Sequence, residues 1–422
     1  MRNRLVSLLL ASTLLSACAT SSGPGVSGAA GVSPQAMAVH SRLMTLDTHL
    51  DTPAFFDTAR GYDITQRHDV MRDGTQVDLP RMREGGLDGG FWVIYMPYTP
   101  ISPEGFARVR DTAIMRSVRI REMVAANSDR MELAFTSSDA ARINAAGKVF
   151  VYQSIENSYE LGEDLTLMDT FYKLGVRLIG PVHNGHNQLA DSANGMGQPN
   201  KWNGLSPLGR RFVRRANELG MVLDGSHSSD EAIAQMIELS ATPIILSHHG
   251  AKALSDHPRN TPDAVLRALA AKGGVIQMNT LFLKPLTQTP ERTAGLAALR
   301  TKYGNPNDLT AERYEAYLDE LQALNVRAPE VLATFEDYMA QVLYCLRLIG
   351  PDHVGFGADW DGGGGVDGLR DVSYLPRITE RLLREGYTEE QLRMMWGGNV
   401  LRVMKAAEDY AAGLRAQQAS RG

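Results

Sequence analysis

From about residue 34 onward, short apolar runs alternate with longer amphipathic stretches. Eight runs stand out: Leu43–Leu46, Gly90–Met96, Val149–Ile155, Val176–Val182, Met221–Leu223, Pro243–Leu246, Val275–Met278 and Val354–Gly357. Between them lie segments with an apolar stripe at helical spacing, such as Pro103–Ala126, Pro207–Leu219, Ser229–Leu239 and Pro262–Ala271. Strand–helix alternation predicts a parallel sheet covered by helices. Eight such units predict a closed (β/α)8 barrel of the TIM type. A doubly wound open sheet is the alternative that the alternation leaves open. One segment, about 281–328, is polar and charged and breaks the rhythm after the seventh run. In a barrel it belongs to a loop on the catalytic face, either covering the site or decorating the periphery.

Candidate chemistry gathers at the ends of the runs. His49 and Asp51 follow the first, Glu156 closes the third and His183 follows the fourth. Asp224 and His227 follow the fifth, His248 and His249 the sixth, Asp359 and Asp361 the eighth. In a parallel barrel all of these fall at the C-terminal mouth, where barrel enzymes keep their active sites. Imidazole and carboxylate without thiolate suit a catalytic divalent metal site. His49 and Asp51, two apart on an extended chain, leave the same face and can reach one ion. The remaining histidines have plainer expectations. His40 and His68 read as surface residues, His353 as structural, and His186 and His249 as neighbours that orient the site. His257 stays open between the two. Gly362–Gly365 lacks the Gly-Lys-Ser/Thr ending of a phosphate loop and reads as a tight turn.

The motifs carry more than the residue types alone. They are DTHLDTP (Asp47–Pro53), SIENSY (Ser154–Tyr159), LGVRLIGPVHNGHN (Leu174–Asn187) and ELGMVLDGSHSS (Glu218–Ser229). ILSHHGAKAL (Ile245–Leu254), HPRNTPD (His257–Asp263), HVGFGADWDGGGG (His353–Gly365) and GGNVLRV (Gly397–Val403) follow. In this order the sequence resembles the membrane (renal-type) dipeptidases, the M19 metallopeptidase family, in a bacterial branch, from about Leu46 to Lys405. The resemblance implies a (β/α)8 barrel and two zinc ions per subunit bridged by Glu156. His49 and Asp51 match the ligands of one ion, His227 and His248 those of the other. His183 matches the histidine that stabilises the tetrahedral oxyanion, Arg259 a substrate-binding arginine, and Asp359 the proton-shuttling acid. The implied reaction is hydrolysis of small dipeptides, including those with a C-terminal D-residue, by a metal-bridging hydroxide. The resemblance also allows a homodimer. Ser158 and Gly225 depart from the family pattern beside the ligands. Other amides, such as N-acyl amino acids or lactams, and a non-catalytic periplasmic binding lipoprotein are the competing functions.

Composition and termini add the setting. Of 422 residues, 43% are hydrophobic and 22% charged, enough for a large core without disulfides. A net charge of -5 with no long basic run argues against a nucleic-acid partner. Arg2 and Arg4 precede a short apolar stretch, Leu5 to Leu15, that ends in Leu-Ser-Ala-Cys. This resembles a lipoprotein signal over residues 1–17, with Cys18 as the lipidated mature N-terminus. A Ser/Gly/Ala-rich tether over 18–33 would then lead to a single catalytic domain over 34–415. The expected setting is an exported, lipid-anchored protein with its domain in the periplasm. The other cysteine, Cys345, sits in an apolar helical pattern and reads as an inert buried thiol.

Overall fold

The computed structural model describes residues 31–58, 60–97 and 101–420. Cys18 and the expected signal segment lie outside the described residues. Ten strands occur among the described residues, and every pairing within the sheets is parallel. They are β1 (Leu46–Leu50), β2 (Gly89–Tyr95), β3 (Met131–Leu133), β4 (Val149–Glu156), β5 (Val176–Ile179), β6 (Val222–Leu223), β7 (Ile245–Ala251), β8 (Asn260–Thr261), β9 (Val275–Met278) and β10 (Val354–Phe356). One sheet runs β1-β2-β4-β5-β6 and the other β10-β9-β7-β8. Two parallel bridges join them, Asp224 to Ile245 between β6 and β7, and Leu50 to Trp360 between β1 and the segment after β10. The ring of eight is thereby closed. The expected barrel is observed, and its eight staves correspond to the eight apolar runs. β3 and β8 are short additions that pair with β4 and β7 from outside the ring.

Helix starts follow capping chemistry. Ser102, Ser206 and Ser229 accept the N–H of the residue three along and open the helices Pro103–Ala126, Pro207–Leu219 and Asp230–Leu239. Each such cap contributes about 1 kcal/mol. Proline at the first turn costs nothing there, since its missing N–H would have no partner. At the N-terminal end of the barrel, Leu46, Phe91, Phe150, Leu178, Val222, Ile245 and Val275 share one apolar cluster with Val400, Val403 and Met404 of helix Asn399–Ala419. That end is filled with side chains, so the C-terminal end is left for polar groups.

Several boundaries differ from the sequence reading. β1 begins where the first apolar run ends, so Asp47 and His49 lie on the strand itself. His248 and His249 likewise lie inside β7. Asp51 has left the extended conformation (φ -84°, ψ 4°), yet its carboxylate still reaches His49. His40 is buried, not superficial: its ring spans Thr379 Oγ1 (2.7 Å) and the Gly85 carbonyl (2.9 Å) and meets Trp396 edge-on. His68 is half-buried, stacked on Tyr62 and 3.3 Å from Asp73. Cys345 is buried, and burial pushes its thiol up to about 12. The 281–328 region holds two helices, Pro290–Tyr303 and Ala311–Arg327, with a small apolar cluster of their own.

Candidate metal centre and substrate pocket

The C-terminal mouth opens into a cavity of about 340 Å³, lined by Asp51, Tyr95, Glu156, His183, Arg259 and Asp359 among others. That volume suits a small ligand. A larger depression of about 680 Å³, lined by Tyr62, His68 and Tyr314 among others, holds no comparable cluster of ligand-type side chains among the described residues.

Glu156 stands at the centre. Its Oε2 lies 3.8 Å from His49 Nε2. Its Oε1 lies 2.9 Å from His227 Nε2 and 3.4 Å from His248 Nε2. One carboxylate thus presents an oxygen to each of two groups. His49 Nε2 is also 3.4 Å from Asp51 Oδ2 and 3.9 Å from Asp359 Oδ1. Three overlapping triplets bring their donor atoms within 4.8 Å of one another: His49 with Glu156 and His248, Glu156 with His183 and His227, and His49 with Asp51 and Asp359. Every sequence-predicted metal residue is therefore in one cluster. His183 joins it, its ring 4.2 Å from that of His227.

The electrostatics show how ill-matched these groups are by themselves. Burial disfavours the His49 imidazolium, but Asp51, Glu156 and Asp359 outweigh that and lift it to about 10. Burial raises Glu156 well above the carboxylate range and Asp359 to about 6, with neighbouring carboxylates adding to both. Burial and the Arg259 charge hold His183 down to about 3, and push His227 well below its ordinary value. His248 is held well below its ordinary value by burial, then by the neighbouring His49 and Arg259. Among the described residues, His49 Nε2, Asp51 Oδ1, Glu156 Oε1, His227 Nδ1 and His248 Nε2 are buried without a hydrogen-bond partner. Buried polar atoms normally have one. Lone pairs on imidazole and carboxylate, converging and otherwise unsatisfied, fit divalent cations.

Arg259 is fully buried and has no carboxylate partner within bonding distance among the described residues. Its Nη1 lies 3.3 Å from His249 Nδ1, its Nη2 donates to the His248 carbonyl at 3.3 Å, and its Nε is unpaired. Burial lowers it to about 10. His257 stacks on Phe282 (4.1 Å, 12°), whose ring also lies 5.7 Å from the Arg259 guanidinium. The histidine left open therefore props a pocket wall. His186 binds the Gln198 carbonyl and accepts from Ser192 N, bracing the loop after His183.

Two features of the mouth escape sequence reasoning. Tyr95 ends β2 directly beside Glu156 in the strand register and meets His183 edge-on at 4.8 Å. As one more letter of the apolar run Gly90–Met96 it gives no sign of that position. Gln76 clamps the glycine-rich turn: its side chain accepts from Asp361 N and donates to the Gly364 and Arg370 carbonyls, and Asp361 accepts from Gln76 N. At Gly362 a Cβ would sit 2.1 Å from Asp51 Oδ2 and 2.2 Å from Asp359 Oδ1. The turn is thus a close approach between two carboxylates, which only glycine permits. At the two departures from the family pattern, Ser158 donates to the Gly180 carbonyl at 2.7 Å, and a Cβ at Gly225 would meet Leu246 at 2.6 Å.

Residues 33–418 match the family described as Membrane dipeptidase (Peptidase family M19). Dipeptidase tcpJ of Claviceps purpurea (strain 20.1) is 31% identical over 377 residues, spanning 87% of this chain and 77% of that protein. The crystal structure of the probable dipeptidase PvdM from Pseudomonas aeruginosa superposes with a TM-score of 0.74 at 29% identity, covering 89% of this chain and 98% of that one. A metallopeptidase from Rhodobacter sphaeroides, liganded with a phosphinate mimic of the dipeptide L-Ala-D-Ala, shares the fold at TM-score 0.66 and 22% identity, over 86% and 99% of the two chains.

Proposed function

The chain belongs to the membrane dipeptidase family, peptidase family M19, and from that premise we propose that its barrel mouth hydrolyses small dipeptides with two zinc ions. The observation that carries the two-ion reading is the split of Glu156, with Oε2 toward His49 and Oε1 toward His227 and His248. In this reading His49 and Asp51 would hold one ion, His227 and His248 the other, and Glu156 would serve both. When bound, the metal supplies a nucleophile from water at neutral pH and polarises the scissile carbonyl.

The protein's own groups do the rest. His183, held near 3, stays neutral at physiological pH and offers an N–H to the developing oxyanion. Asp359, raised to about 6, is poised to accept a proton and return it to the leaving amine. Arg259 receives the substrate carboxylate, for which a buried guanidinium fork with no carboxylate within bonding distance among the described residues is suited. Ala54, Leu281 and Phe282 furnish apolar wall for side chains. We further propose export and lipid anchoring through Cys18. Among the described residues no helix is long and apolar enough to cross a membrane.

The test joins metal analysis of the purified protein to turnover on a stereochemically defined panel. L,L- and L,D-dipeptides are compared with N-acyl amino acids and a lactam. Two zinc equivalents and chelator-sensitive cleavage of free dipeptides are expected. Preference for N-acyl substrates would replace the dipeptide reading, and metal binding without turnover of any amide would replace the enzyme reading.

A further inference from the structure

One serine stands between a buried carboxylate and a metal-facing histidine. Ser247 Oγ donates to Asp224 Oδ2 and lies 2.9 Å from His248 Nδ1. Asp224 Oδ1 is occupied by the backbone N–H groups of Ser226 and Ser247, both at 2.9 Å. Ser226 Oγ, 3.5 Å from Ser247 Oγ, accepts the His248 backbone N–H at 3.1 Å. All of these side chains are buried.

A hydroxyl has one proton to give, and a carboxylate can only accept. With its proton committed to Asp224, Ser247 must accept from His248. Nδ1 of that ring then carries the hydrogen and Nε2 carries the lone pair. Nε2 is the atom 3.4 Å from Glu156 Oε1, and it has no hydrogen-bond partner among the described residues. We propose that Asp224 and Ser247 are positioning residues that fix His248 as its Nδ1–H tautomer and so make Nε2 competent to hold a divalent ion. The proposal rests on the reading of His248 as a metal ligand.

The relay has an unusual consequence. Asp224→Asn keeps the shape but inverts a donor. The amide oxygen retains the two backbone N–H bonds, and the amide NH₂ faces Ser247. Ser247 then accepts from the amide and turns its own proton to His248 Nδ1. The ring proton moves to Nε2, where it blocks the lone pair. Ser247→Ala only releases the ring, which can still adopt the ligating tautomer. The conservative-looking change is therefore the more damaging one for metal binding.

The experiment titrates the metal-free full chain with Zn²⁺ against a competing chelator dye. It compares wild type, Asp224→Asn, Ser247→Ala and His248→Ala. Outer partners of metal histidines typically change affinity about 10–100-fold. One zinc equivalent is expected to weaken within that range in Asp224→Asn, and by less in Ser247→Ala. Long-range ¹H–¹⁵N histidine spectra of the metal-free proteins should show the Nδ1–H tautomer for His248 in wild type and the Nε2–H tautomer in Asp224→Asn. If His248→Ala binds zinc like wild type, the ligand reading itself fails. If His248→Ala weakens binding while Asp224→Asn does not, or does so less than Ser247→Ala, the relay is overturned. Should Asp224→Asn not fold, Ser247→Thr, which retains the hydroxyl, is expected to hold zinc like wild type where Ser247→Ala does not. Equal affinities in that pair would overturn the proposal.

Discussion

His227, Phe282, Asp359 and Asp361, which line the mouth cavity, have positive φ without being glycine, as does Asn157, next in sequence to Glu156. Only two other described non-glycine residues, Met196 and Asn203, share that conformation. Each costs on the order of 1 kcal/mol or more, so the surrounding fold must hold them there. His227 and Asp359 are thereby aimed by backbone strain as well as by packing. Asp359→Asn keeps the volume and removes the proposed proton shuttle. It is expected to lower kcat about 10²–10⁴-fold with zinc content unchanged; full turnover with metal bound would refute its role. Glu160 offers a test of pH dependence outside the candidate metal cluster. It is fully buried, burial raises its carboxyl to about 8, and neither oxygen finds a partner in another described residue. The unfolded carboxyl ionises near its ordinary 4.5, while the folded one keeps its proton to about 8. Folding stability therefore falls as pH rises through that window. Glu160→Gln should gain stability over wild type at pH 9 relative to pH 5 in denaturant titrations; a pH-independent difference would contradict this.

At the scale of elements, the helical hairpin Pro290–Tyr303 and Ala311–Arg327 is a semi-detached unit. It has its own cluster around Leu299, Tyr303 and Leu324 and meets the body partly through exposed ion pairs, such as Arg72 to Glu315. Exposed pairs are worth about 0–1 kcal/mol. The hairpin should therefore exchange amide hydrogens faster than the barrel strands, and Arg72→Ala should accelerate it without lowering global stability. Uniform protection across hairpin and barrel would argue for one cooperative unit. Barrel strands were legible because parallel strands buried on both faces carry near-continuous apolar runs, as in Phe91–Tyr95 of β2. β8 was not, since Asn260 and Thr261 form a two-residue strand of polar side chains. His40 also misled, because its partners Thr379 and Gly85 are remote in sequence. The candidate ligand cluster was legible because its members lie on or just after staves of one barrel. The supports were hidden for the opposite reason: Gln76 meets Asp361 across 285 positions, a pairing that only the closed ring creates.

For the molecule as a whole, the closed ring leaves the eight staves with no open edge between them, and its polar end concentrates unlike charges in one cavity. Asp51, Glu156 and Asp359 converge there on buried histidines and one guanidinium. A ligand that binds only the folded state adds stability, about 2.7 kcal/mol at a hundredfold excess over its dissociation constant. Chelation is accordingly expected to lower the melting temperature by several degrees and zinc to restore it. A melting curve indifferent to both would count against a metal-stabilised core.

Arg259 also bears on how the protein must be handled. A buried guanidinium with no carboxylate within bonding distance among the described residues is suited to receive simple organic acids. Acetate or formate buffers should therefore act as competitive inhibitors, raising KM and leaving kcat alone, whereas buffers without a carboxylate should not. On the proposed role of Arg259, the released amino acid whose carboxylate it holds should linger, so its accumulation slows the reaction more than that of its twin.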